Sequence, residues 1–181
     1  MTCSTSLVRS LIVGSALAMS ACAGESSHTP SPVLLDLDEV ALATERYLDI
    51  NAALADGFIQ ASPCEAVAGV GAMGHHYLNP ARMDGRIVLT EPEVLLYIPE
   101  GGRMRLAGVE YILPIIQDGR PYFGTTMPAT GPAPTIMGQT FQGPMPGHNP
   151  AMPWHFDLHV WVFDDNPAGR FAQFNSRLRC P

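Results

Sequence analysis

From Trp154 to Phe163 the chain reads Trp-His-Phe-Asp-Leu-His-Val-Trp-Val-Phe, and its side chains sort into two sets by simple alternation. A period of two belongs to a strand whose faces meet different surroundings. One set holds His155, Asp157, His159, Trp161 and Phe163, and the other holds Phe156, Leu158, Val160 and Val162. The stretch therefore predicts a sheet with an apolar back on a core and a front that offers two imidazoles and a carboxylate. No isolated strand is stable in water, so the domain must supply partners for it.

The partners are partly legible. Residues 93–99 and 103–113 flank Gly101-Gly102, a pair suited to a tight primed turn, and predict a hairpin. That turn would set Tyr97 opposite Leu106, Leu95 opposite Gly108 and Glu93 opposite Glu110, with Glu110 on the face of Leu106 and Ile112. A carboxylate inside Val109-Glu110-Tyr111-Ile112 is costly to bury alone, so Glu110 should have a partner. Before the hairpin, Leu37, Val40, Ala41, Tyr47, Leu48, Leu54, Ala55 and Phe58 recur at helical spacing. They predict one helix over residues 36–58, capped by Asp36 with Glu39 and stopped at Gly57. Residues 61–84 show no period, and residues 117–153 read as a long Pro, Gly, Thr and Met loop of the kind that serves as a lid. The expected class is α+β: an N-terminal helix packed on an antiparallel sheet of four to six strands, with a sandwich or barrel as the alternative.

Residues 1–22 read as a secretory leader, with Arg9 before an apolar run from Leu11 to Met19 that is too short to span a bilayer. Met19-Ser20-Ala21-Cys22 resembles the lipobox of bacterial lipoproteins, which implies acylation at Cys22; an ordinary cleaved leader is the alternative. Residues 23–35 then read as a flexible tether and 36–181 as a single globular domain. The implied address is the cell envelope, in the periplasm or on the outer surface, with a membrane anchor. With Cys3 in the leader and Cys22 lipidated, Cys64 and Cys180 remain, an even pair expected to form a disulfide in an oxidising compartment; two buried thiols are the alternative. A net charge of −7 with no basic cluster argues against nucleic acid as a partner.

For chemistry the chain offers histidine and carboxylate: His76, Glu110, His155 and His159, with His75, His148 and Asp157 behind them. Such a mixed set suits zinc, iron or copper. His155 and His159 lie two strand steps apart, roughly 13 Å, too far to share one ion on a straight strand. One of them would ligate beside His76 and Glu110. Purely structural histidines, bonded to backbone and to Asp157, are the competing reading. The methionines of the long loop (Met127, Met137, Met145 and Met152) admit copper handling, since thioethers favour copper(I), though they also serve as adaptable packing. A serine hydrolase is disfavoured: there is no G-x-S-x-G elbow, and Ser176 is the one serine after Ser62. Thiol catalysis conflicts with the disulfide, and no phosphate-cradling glycine loop precedes a helix.

Ala55-Asp56-Gly57-Phe58, Met73 to Pro80, Val109-Glu110-Tyr111, Leu158 to Trp161, Asn166 to Phe171 and Cys180 together resemble an uncharacterised family of exported bacterial proteins. The resemblance spans the mature domain and picks out His76, Glu110 and His159 without implying an activity. The His-x-His-then-Glu pattern of cupins is not matched. Three function classes follow: an envelope protein binding a metal or small ligand at the His/Glu site, a metal-dependent enzyme at the same site, or a structural and interaction protein.

Overall fold

The Ser31 hydroxyl accepts a hydrogen bond from the Leu34 amide, and Pro32 occupies the first helical position, where its missing N–H costs nothing. Helix α1 (Pro32–Thr44) therefore starts four residues before Asp36, inside the segment read as tether. The computed structural model describes residues 31–148 and 150–181; the leader, Cys22 and residues 23–30 lie outside them.

The single helix expected over residues 36–58 is two helices with a break. The Thr44 hydroxyl turns back onto the Val40 carbonyl at 2.7 Å, and residues Glu45–Leu48 tighten into a 3-10 turn. The Tyr97 hydroxyl, reaching from the sheet, then takes the Tyr47 carbonyl at 2.6 Å. Asp49 restarts the chain as the cap of α2 (Ile50–Ala55), accepting from the Asn51 amide. The break rotates Leu48 and Leu54 out of the expected stripe, and both are half exposed. Gly57 does stop the helical run, at φ +90°.

The strands are β1 (Ile59–Gln60), β2 (Glu65–Val67), β3 (Gly71–Leu78), β4 (Val94–Glu100) and β5 (Arg103–Pro114). Two short hairpins follow, β6 (Ile116–Gln117) with β7 (Arg120–Pro121) and β8 (Thr135–Ile136) with β9 (Gln139–Thr140). Strands β10 (Gln142–Met145) and β11 (His155–Val160) complete the set. The main sheet has seven strands, one more than the expected upper bound, in the order β1-β3-β4-β5-β11-β10 with β2 also on β3. Every pairing in it is antiparallel, and it does not close into a barrel.

Strand β3 lies in the stretch that shows no sequence period, because its first four residues are all buried. Its glycines let other backbone approach: a Cβ on Gly74 would sit 2.6 Å from the Tyr97 carbonyl oxygen, and one on Gly71 would sit 2.4 Å from that of Asn175.

One face of the sheet carries Tyr77, Leu95, Tyr97, Val109, Tyr111, Phe156, Leu158 and Val160, which pack with Leu37, Val40, Tyr47 and Phe58 of the helical segment. The other face carries Ala72, Val94, Leu96, Ile98, Ala107, Ile112 and Trp161, covered in part by Leu178 and Met152. The α+β expectation holds, with the helices on one face. The alternation in the Trp154–Phe163 stretch also holds, but over the shorter strand β11.

The hairpin keeps its expected register only from the turn to Tyr97↔Leu106. A bulge then shifts it, pairing Leu96 with Gly108 and Val94 with Glu110. The pairing of Glu93 with Glu110 is thus corrected by one residue. The extra residue also swaps faces: Leu106 joins the helix-side core, while Glu110 points to the opposite face with Ile112. Cys64 and Cys180 form the expected disulfide across 116 positions, tying the tail to the segment between β1 and β2. Among the described residues no helix is long and apolar enough to cross a membrane.

Candidate metal centre

Register places the site. Glu110 on β5 lies directly opposite His159 on β11, so the two side chains leave one face as immediate neighbours. His76 comes from β3, across β4, where it pairs with Leu96 one row from Val94↔Glu110. Two strand spacings are about 9.5 Å, which a histidine and a glutamate span only by leaning toward each other over β4. They do so: His76 Nε2 lies 3.6 Å from Glu110 Oε2, and His159 Nε2 lies 3.8 Å from Glu110 Oε1. One donor atom from each of the three residues lies within 4.8 Å of the others.

The orientation of His76 is fixed from behind. The Ser62 hydroxyl sits 2.8 Å from the Pro63 carbonyl and 2.8 Å from His76 Nδ1. A carbonyl only accepts, so Ser62 donates to Pro63 and accepts from Nδ1–H. The Nε2 lone pair of His76 therefore faces Glu110. His155 is set in the same way, its Nδ1–H donating to the Pro153 carbonyl at 2.9 Å.

Burial sets the charges. It pushes His76 down to about 4 and His159 well below the usual histidine range, so both rings are neutral at pH 7 and neither contact with Glu110 is an ion pair. It lifts Glu110 well above the usual carboxyl range, with the neighbouring Asp157 raising it further. Asp157 is itself raised to about 6 by burial. Two carboxylates have nothing to donate to each other, so Glu110 and Asp157 bond only by sharing a proton. Without it, neither Asp157 oxygen has a donor among the described residues.

Of the four residues expected to ligate, the structure gathers His76, Glu110 and His159, and leaves His155 outside the group. His155 is fully buried on the same face, two residue pairs further along β11, as strand spacing requires. Asp157 stands between them as the Glu110 partner. His148 borders the same cavity, carried in by the loop after β10, and its ring centroid is 6.0 Å from that of His155. His75 points elsewhere, its Nδ1 beside Gln60 at 3.1 Å. Sequence reasoning missed Ser62 and Glu65, both on the cavity wall; they lie in the aperiodic segment, and Ser62 reaches the site through backbone bonds to His76 that extend the β1–β3 pairing, Glu65 through the pairing of β2 with β3.

Comparison with protein-family models, with curated proteins and with solved structures finds no match for this chain.

The geometry fits an ion. With ligand bonds of 2.0–2.2 Å, tetrahedral donors stand about 3.4 Å apart; here each imidazole approaches a different oxygen of Glu110, at 3.6 and 3.8 Å, and one donor atom from each residue lies within 4.8 Å of the others, so the side chains need close in only slightly to hold an ion. Those separations are too long for hydrogen bonds. The donor set, two imidazoles and a carboxylate, matches zinc sites that keep a fourth position for water or substrate, and it admits iron and copper.

Proposed function

We propose that this chain is an exported cell-envelope lipoprotein whose domain binds a transition metal, zinc foremost, through His76, Glu110 and His159. The carrying observation is the convergence of one ring nitrogen from each of two buried histidines on one buried carboxyl, all three donor atoms within 4.8 Å of one another. The lipobox-like Cys22 supports attachment to the membrane, and the disulfide agrees with an oxidising compartment. The resemblance of the mature segment to exported bacterial proteins supports the same address.

A second reading, a metal-dependent enzyme at this site, draws on one observation: the three residues border a cavity, so a fourth ligand could reach the ion from that side. In that reading the metal would supply Lewis acidity and an activated water, with Glu110 as ligand.

The test is elemental analysis of the full protein purified from the envelope without a histidine tag, beside a His159→Ala variant shown by circular dichroism to be folded. The expected result is close to one equivalent of a single metal in the wild type and little in the variant. A wild-type protein that neither carries nor takes up zinc, copper or iron would refute the reading. Release of a Cys22→Ser variant from the membrane fraction checks the anchor.

A further inference from the structure

The cavity that borders His76, Glu110 and His159 has a volume of about 280 Å³, and its remaining wall is chiefly Ile59, Leu78, Met73, Met83 and Met152. Polar groups are few in that wall. The Ser62 hydroxyl already serves His76 and Pro63, and Glu65 and His148 are the other polar side chains of that wall. One end of the cavity is therefore the candidate metal centre, and much of the rest is hydrocarbon and thioether. Methionine is the side chain that adapts best to varied apolar shapes.

We propose that this cavity takes a compact, largely apolar organic molecule that coordinates the bound ion through one end. The inference rests on the metal reading and names the ligand class for that site. Size narrows it further. A dry cavity of about 150 Å³ admits benzene, so this one admits roughly ten non-hydrogen atoms. A sugar, a nucleotide or a peptide of several residues does not fit this description: each needs several fixed polar partners along its length, and the apolar wall offers them nowhere. A molecule with one donor group and an apolar body satisfies both ends at once.

The test uses cobalt(II) in place of the native ion, because its visible absorption reports both metal uptake and added ligands. Acetohydroxamate and benzohydroxamate carry the same metal-binding head and differ in apolar bulk; the larger has about the right number of atoms for the cavity. The cobalt-loaded protein should bind benzohydroxamate on the order of tenfold or more tightly than acetohydroxamate. In a Met83→Ser, Met152→Ser double variant that still takes up cobalt, the ratio should fall by at least half.

Equal affinities for the two hydroxamates in the cobalt-loaded wild type would overturn the proposal while leaving the metal reading intact. A preference unchanged in the double variant would overturn it too. Failure of the wild type to take up cobalt, zinc, copper or iron would overturn both.

Discussion

Glu93 gives a prediction whose sign and size both follow from its surroundings. The residue is 1% exposed, immediately before β4, and its Oε2 accepts from the Ile112 amide at 3.0 Å. Burial pushes the carboxyl up to about 7, against 4.5 in the absence of the fold, and its backbone hydrogen bonds and the Arg82 charge offset only part of that. A carboxyl with a raised folded-state pKa contributes most below the unfolded value, and that contribution is lost as pH rises through the folded value. Each pKa unit is 1.36 kcal/mol, so the ionised carboxyl costs the fold about 3 kcal/mol above pH 8 and less than about 1 kcal/mol at pH 5. Glu93→Gln removes the titration and keeps an acceptor for Ile112. Any fixed cost of the amide cancels when two pH values are compared. Urea unfolding of both proteins with chelator present, at pH 5 and at pH 8.5, should show the variant gaining about 2–3 kcal/mol on the wild type between the two. The ionisable groups that do not face Glu93 are common to both proteins and drop out of the difference; Glu110 and Tyr111, which the Glu93 charge raises, alter it secondarily. A change below about 0.5 kcal/mol would show that the buried carboxyl does not titrate as its surroundings require.

Two further perturbations probe the supports of the site. Ser62→Ala removes the acceptor that holds the His76 Nδ1–H; metal affinity in a competition titration should fall about 10- to 100-fold, as for other outer partners of ligating histidines. An unchanged affinity would mean that His76 is oriented without Ser62. Replacing Cys64 and Cys180 with serine frees a loop of 116 positions, and thermal or urea unfolding should show a loss of about 2–5 kcal/mol. A loss under about 1 kcal/mol would place little of the stability in that tie.

The sequence made β11 legible because its two faces meet different environments, so the alternation survives in the letters. It hid β3 for the opposite reason: with glycines at 71 and 74 and burial on both faces, no contrast is left to read. The helix was legible as an apolar stripe, yet its break was not, since the Tyr97 hydroxyl that takes the Tyr47 carbonyl comes from fifty positions away. The β5 bulge is a similar case. A two-residue turn dictates register only as far as the ladder stays regular, and the one mark of the slip in Leu106-Ala107-Gly108 is the glycine. Gly108 shows why the ladder tolerates the slip: a Cβ there would lie 2.6 Å from the Val160 carbonyl oxygen. Glu110 was singled out correctly as a carboxylate in need of a partner, and it shares a face with Ile112 as expected, but the extra residue takes Leu106 to the other face. His76 and His159 could be nominated from their residue type. Their approach to a single carboxyl depends on register across three strands, which only the folded sheet provides.

A purely structural role for the three residues would require their polar atoms to satisfy one another, and the 3.6 and 3.8 Å separations do not allow it. His76 spends its Nδ1–H on Ser62, which leaves an acceptor at Nε2. The His159 Nε2 is buried and has no hydrogen-bond partner among the described residues, and Glu110 Oε2 and both Asp157 oxygens are in the same position. The proton that burial keeps on Glu110 can serve Asp157, His76 or His159, but only one of them at a time. A network built for stability would close these contacts to below about 3.2 Å or replace the groups with hydrocarbon, since unsatisfied buried polar atoms cost about 1–3 kcal/mol each. A cation accepts several lone pairs at once. Placed among these atoms, it would engage the groups that the 3.6 and 3.8 Å separations leave without hydrogen bonds.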